Sequence, residues 1–156
     1  MSRIFKFLTL FVLAVLVLSA CQPVVAQPAV QSDTLAANKE FILRYFAALN
    51  KDKSAATVDE FTTDDVLKQH IELFEAAFPG YQLTAEEMIA EGDQVFVRTT
   101  FTGTHEGDLM GIAPTGKEVT IDIALTYRIE NGKIVDHWML ADQLSLMQQI
   151  GVFPAQ

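Results

Sequence analysis

Residues 121–142 read IDIALTYRIENGKIVDHWMLAD, two strand-like runs on either side of a turn. Apolar and polar residues alternate on both sides of Asn131-Gly132. That dipeptide is a strong signal for a two-residue type I′ hairpin, because both turn positions need positive φ. Antiparallel strands are predicted over Lys117–Glu130 and Lys133–Asp142. With a two-residue loop, Glu130 faces Lys133, and pairing runs backward from there. Tyr127 then faces Asp136, Leu125 faces Trp138, Ile123 faces Leu140 and Ile121 faces Asp142. One face collects Ile121, Ile123, Leu125, Tyr127, Ile129, Ile134, Asp136, Trp138, Leu140 and Asp142. It is overwhelmingly apolar and is the expected concave, helix-covered side. The other face carries Thr120, Asp122, Thr126, Arg128 and His137 among Ala124, Val135 and Met139. Half polar, it is a candidate homodimer interface.

Upstream, period-two patterns predict strands over Tyr81–Glu91 and Gln94–His105, joined by the turn Gly92-Asp93. Before Pro79-Gly80 the period is helical. Ile42, Tyr45, Phe46 and Leu49 form one apolar stripe on a helix expected from Ser32 or Asp33 to about Asn50. A short helix over Ala55–Phe61 follows. Thr63 then caps a long helix whose stripe is Leu67, His70, Ile71, Phe74 and Phe78. A last helix spans Gln143–Ile150 and stops at Gly151. Helices first and antiparallel strands afterwards make an α+β domain over residues 33–156.

The N-terminus reads differently. Arg3 and Lys6 precede an apolar run from Phe7 to Leu18, a charged region and a hydrophobic region of signal-peptide length. Leu18-Ser19-Ala20-Cys21 resembles the lipobox of bacterial lipoproteins, which implies cleavage after residue 20 and lipidation of Cys21. Residues 21–32, with two prolines, read as a flexible tether. The expectation is an extracytoplasmic bacterial lipoprotein held at a membrane by its anchor. Removing residues 1–20 takes the formal net charge from −9 to −11. Such an acidic domain has no electrostatic footprint for nucleic acid.

Several readings are excluded by local chemistry. Cys21 is the single cysteine, so neither an internal disulfide nor a multi-cysteine zinc site is possible. The three histidines lack metal-ligand spacing, and no metal or cofactor is expected. Gly111 to Lys117 fits a phosphate-loop pattern by letter, but Glu118 replaces the required hydroxyl residue and a strand follows.

Phe101 to Gly107, Gly111 to Lys117, Tyr127 to Ile134, Trp138, Asp142 and Gln148 to Gly151 occur in the order and spacing of one family. The chain resembles the SnoaL-like polyketide cyclase or ester cyclase family of the NTF2-like superfamily from about Leu35 to Phe153. The resemblance implies a cone: a curved antiparallel sheet wrapped around N-terminal helices and an apolar pocket. It also implies cofactor-free acid/base chemistry on a hydrophobic, carbonyl-bearing small molecule, by cyclisation, isomerisation or hydrolysis. Asp142 matches the family's acid/base residue and His105 its pocket histidine. The family's Asp-x-x-x-His-x-Pro segment between the first two helices is missing here.

The residues themselves leave alternatives. Asp142, on an apolar face, loses hydration and suits proton transfer beside a carbonyl, or it caps the helix that follows. His105 orients a substrate or is a solvated strand end. His70 lines a pocket or is a satisfied core histidine. Asp136 is read as the partner of the Tyr127 hydroxyl. Tyr45, Phe101, Leu125, Tyr127 and Trp138 are the expected pocket walls. The enzyme reading stands beside two others, a non-catalytic carrier lipoprotein for small apolar ligands and a dimeric interaction module.

Overall fold

The computed structural model describes residues 29–154. The signal-peptide and lipobox readings at residues 1–21 lie outside the described residues. The chain runs α1 (Ala29–Leu49), α2 (Ala55–Phe61), α3 (Asp65–Ala77), β1 (Gln82–Glu91), β2 (Gln94–Thr104), β3 (Glu118–Glu130), β4 (Lys133–Ala141) and α4 (Gln143–Ile150). The predicted elements are all present, with strand ends moved by about one residue, the ordinary scatter of element boundaries, while α1 starts at Ala29, inside the stretch read as tether and ahead of the expected Ser32 or Asp33. The strands form one antiparallel sheet in the order β1-β2-β3-β4. One face of the sheet packs against the helices, and the fold is α+β as expected.

The core follows from the two periodicities. Ile42, Tyr45, Phe46 and Leu49 of α1 and Leu67 and Ile71 of α3 are buried against Val95, Val97 and Phe101 of β2. The odd-numbered residues from Val119 to Ile129 of β3 complete it. Phe78 and Phe101 meet edge to face at 5.4 Å, and Tyr81 stacks on Phe101 at 5.0 Å. Where β4 stops, Gln149 of α4 extends the sheet edge with its side-chain amide. It accepts from Thr120 N and donates to Thr120 O, both at 2.8 Å.

The hairpin register departs from expectation in one place. Asn131 and Gly132 both have positive φ, and Glu130 pairs with Lys133 and Ile129 with Ile134, as the turn requires. Arg128 then pairs with Asp136, leaving Val135 as an extra residue in β4. This β-bulge shifts the remaining pairs by one, and each side chain of β4 beyond it changes face. Tyr127 faces His137, Leu125 faces Met139 and Ile123 faces Ala141. Trp138 and Leu140, expected on the concave face, lie on the outer face, 55% and 62% exposed. Asp136 sits by Arg128 (3.8 Å) and does not meet the Tyr127 hydroxyl. At Ile134 the free edge of β4 is tied down by Thr62–Thr63: Thr63 N and Thr62 Oγ1 both donate to Ile134 O, at 2.9 and 3.0 Å.

No helix among the described residues is long and apolar enough to cross a membrane.

Candidate functional site

The site grows from the first turn of α3. Its N-cap is Asp64, not the expected Thr63. Asp64 Oδ1 accepts from the amides of Val66 (2.9 Å) and Leu67 (3.1 Å), satisfying two of the donors a helix start leaves open. Its other oxygen, Oδ2, lies 2.6 Å from His137 Nδ1. The bulge in β4 is what brings His137 to this face. Both side chains are nearly sealed, 4% exposed for His137 and 9% for Asp64. His137 Nε2 lies 3.1 Å from His70 Nδ1, with the two rings edge to face at 5.2 Å.

The proton positions follow from what each atom can do. A carboxylate only accepts, so His137 donates from Nδ1 to Asp64. With His137 neutral, its Nε2 accepts and His70 donates from Nδ1. This leaves His70 Nε2 with a free lone pair. When His70 takes a proton there, positive charge develops at one end of a chain whose other end is a carboxylate held at a helix N-terminus. Among the described residues no group of three or more histidine, cysteine or acidic side chains is arranged to hold a metal ion. Both ring nitrogens of His137 are already engaged.

Burial works against ionisation of Asp64. The hydrogen bonds from His137, Leu67 and Val66 outweigh it and hold the carboxyl below its ordinary value of 3.8. The His70 ring is held below its ordinary 6.5, chiefly by burial and then by His137, against the opposing pull of Asp64. Both depressions act on stability with the same sign. Neutral His70 contributes fully above about 6.5, and the contribution is lost as pH falls through the lower folded value. Ionised Asp64 contributes above its unfolded value and is lost at still lower pH. The melting temperature is therefore expected to fall as pH drops below about 6.5, and less steeply in His70→Gln. Equal slopes in the two proteins would contradict this assignment.

His70 also lines an apolar cavity of about 50 Å³ between the helices and the sheet. Tyr45, Phe101, Leu125 and Tyr127 line it as the sequence suggested, joined by Phe74 and Met139. Met139 stands where the sequence reading put Trp138. Asp142 is exposed and does not line the cavity. Its Oδ1 accepts from Ser145 N at 2.9 Å, the N-cap of α4, so of its two readings the geometry supplies the capping contact. His105 is not a solvated strand end. It is fully buried, packs on Phe78 with centroids 5.2 Å apart, and its Nδ1 lies 3.1 Å from Thr115 Oγ1. It does not line the cavity either. The residues missed by sequence reasoning are Asp64, hidden among three adjacent residues able to cap, and His137, assigned to the wrong face. Cys21 lies outside the described residues.

A family model described as SnoaL-like polyketide cyclase matches residues 39–150. The chain belongs to this family. Solved structures agree in fold. AclR from Streptomyces galilaeus is 28% identical with a TM-score of 0.69, over 78% of this chain and 85% of that one. TsrD from Streptomyces laurentii is 23% identical with a TM-score of 0.65, over 76% and 97%. A SnoaL-like polyketide cyclase from Agrobacterium tumefaciens is 19% identical with a TM-score of 0.63, over 73% and 98%. No curated protein gives a match. Within the SnoaL-like fold, the candidate site of this member is a histidine pair backed by a carboxylate at the edge of a small apolar cavity.

Proposed function

We propose that this SnoaL-like protein is an acid/base enzyme acting on a small, uncharged carbonyl compound, with His70 moving the proton. The observation that carries the reading is the chain from His70 through His137 to Asp64, with contacts of 3.1 and 2.6 Å, at an otherwise apolar cavity. His70 is the base, its Nε2 being the one uncommitted ring nitrogen of the pair. His137 fixes the tautomer of His70, and Asp64 stabilises the charge that develops on protonation. In this reading Asp142 holds α4 in place and His105 anchors the loop that follows β2. Family resemblance favours Asp142 and His105 as the catalytic pair instead, and substitution separates the two proposals. The space is far below the several hundred Å³ of pockets that swallow whole ligands. It takes a carbonyl with its neighbouring carbons, while larger parts of a substrate stay outside.

The test is exchange of the α-protons of small ketones, acetone first, with solvent deuterium, followed by NMR. The wild-type protein is expected to accelerate exchange, Asp142→Asn to retain it and His70→Gln to lose it. Loss in Asp142→Asn with retention in His70→Gln would transfer the role to Asp142. Absence of acceleration by the wild type would leave the carrier reading in its place.

Two further proposals rest on sequence and surface. The motif ending at Cys21 supports export and lipid anchoring. Cys21→Ser is then expected to move the protein from the membrane fraction to the soluble one, and an unchanged distribution would refute anchoring. The exposed Trp138 and Leu140 support a homodimer through the outer sheet face. Light scattering that reads a single-chain mass at high concentration would refute it.

A further inference from the structure

Three phenols converge on the cavity: Tyr45 from α1, Tyr81 at the entry to β1 and Tyr127 from β3. The rings of Tyr45 and Tyr127 meet edge to face with centroids 5.8 Å apart. Both residues are almost wholly buried. A buried tyrosine hydroxyl ordinarily finds a partner, and leaving one without costs stability that phenylalanine would not. Yet neither hydroxyl has a hydrogen-bond partner among the described residues, and neither is sealed off by surrounding atoms. Two polar groups are thus kept in an apolar chamber with their donors unused.

The chemistry of the missing partner can be narrowed. Burial, reinforced by the neighbouring phenols, pushes both hydroxyls well above their ordinary value, so they remain protonated and offer donors. The partner is therefore an acceptor. A permanent anion is disfavoured, because a full charge in an apolar cavity is costly and the chain carries a net charge of −9. A neutral oxygen that gains charge only during reaction meets neither objection.

We propose that the hydroxyls of Tyr45 and Tyr127 cradle the carbonyl oxygen of a small neutral ketone, aldehyde or ester. The inference rests on the acid/base reading above and supplies its second half. The α C–H bond breaks and its proton passes to His70 Nε2. The C–H electron pair becomes the C=C bond of an enolate, and the carbonyl π pair moves onto the oxygen held by the two hydroxyls. Return of the proton from His70 restores the carbonyl or its isomer, so no oxidant or reductant is needed.

The experiment uses acetone with a ¹³C carbonyl, its C=O stretch read by infrared difference spectroscopy as it is titrated onto the wild type and onto Tyr45→Phe, Tyr127→Phe and His70→Gln. In the wild type the bound carbonyl is expected to absorb at lower frequency than in hydrocarbon solvent. Each phenylalanine variant is expected to give back part of that displacement and to bind about three- to tenfold more weakly. Both variants should fold, with melting temperatures equal to or above that of the wild type, because the hydroxyls they lose have no partner in the fold. His70→Gln is expected to keep the displaced stretch while losing proton exchange. The proposal is overturned if acetone shows no saturable binding, or if the phenylalanine variants bind it with unchanged affinity and frequency, which would mean the hydroxyls are satisfied by trapped water only. A displaced stretch without proton exchange in the wild type would sink the His70 base and leave the cradle standing. Exchange without displacement would do the reverse.

Discussion

Replacing His70 by glutamine is expected to slow α-proton exchange by about 10²- to 10⁴-fold, the usual range for removing a positioned acid/base group, while leaving the domain folded. Glutamine is similar in size and polar, so the partly buried site on α3 is not emptied. Its amide can still donate to His137 Nε2, but it offers no nitrogen that takes up a proton near neutral pH. Asp64→Asn is the informative companion. Asparagine caps helices about as well as aspartate, so the contacts to Val66 and Leu67 survive. The charge facing His137 does not survive, and the amide nitrogen competes to donate where only an acceptor fits. An intermediate loss is expected with little change in stability. A His70→Gln protein that exchanges protons at the wild-type rate would remove His70 from the mechanism.

The largest effect on stability is expected at Gly107. Its backbone lies so close to the end of α3 that an added Cβ would sit 1.8 Å from the Ala76 carbonyl oxygen and 2.9 Å from its carbon. No side-chain rotation relieves a clash with backbone. The close approach has a purpose, since Glu106 N and Gly107 N both donate to Ala77 O at 3.0 Å, satisfying a carbonyl that the helix end leaves open. The same junction seats His105 against Phe78. Gly107→Ala must push the loop off the helix, losing both bonds and loosening the aromatic packing beneath. The expected cost is about 3 kcal/mol or more, on the order of 10 °C in Tm for a domain of this size. Gly92→Ala makes a control. Nothing lies within 4 Å of its added Cβ, and only its positive φ resists the change. Its cost is expected to be about 1 kcal/mol. A Gly107→Ala protein as stable as Gly92→Ala would show that the loop does not depend on this contact.

The elements and their order were legible because the helical period ends at Pro79-Gly80 and period-two runs bounded by turn residues follow it. Asn131-Gly132 even specified its turn type correctly. The bulge at Val135 was not legible, for a physical reason. Alternation reveals register only when one face of a strand is apolar and the other polar. Beyond the bulge both faces of β4 carry apolar residues: Met139 and Ala141 inward, Trp138 and Leu140 outward. The more apolar set is the one facing solvent, so a rule that buries the apolar set selects the wrong face. That single slip exchanged His137 for Trp138 and hid the centre of the candidate site. Asp64 was obscured differently. Thr63, Asp64 and Asp65 can each start a helix, and only the fold shows that one of them also reaches a histidine on β4. The cavity walls Tyr45, Phe101, Leu125 and Tyr127 were legible because they follow the periodicity of α1, β2 and β3, where no bulge intervenes in the relevant turns.

In the proposed mechanism His70, on the cavity wall, has an unprotonated Nε2 because His137 and Asp64 fix its tautomer. ¹⁵N NMR of the histidine rings at neutral pH reads this directly. The expected spectrum shows His137 protonated on Nδ1, His70 protonated on Nδ1 and bare at Nε2, and a scalar coupling across the His70 N–H···N His137 hydrogen bond. A His70 ring protonated on Nε2, with no coupling to His137, would contradict it.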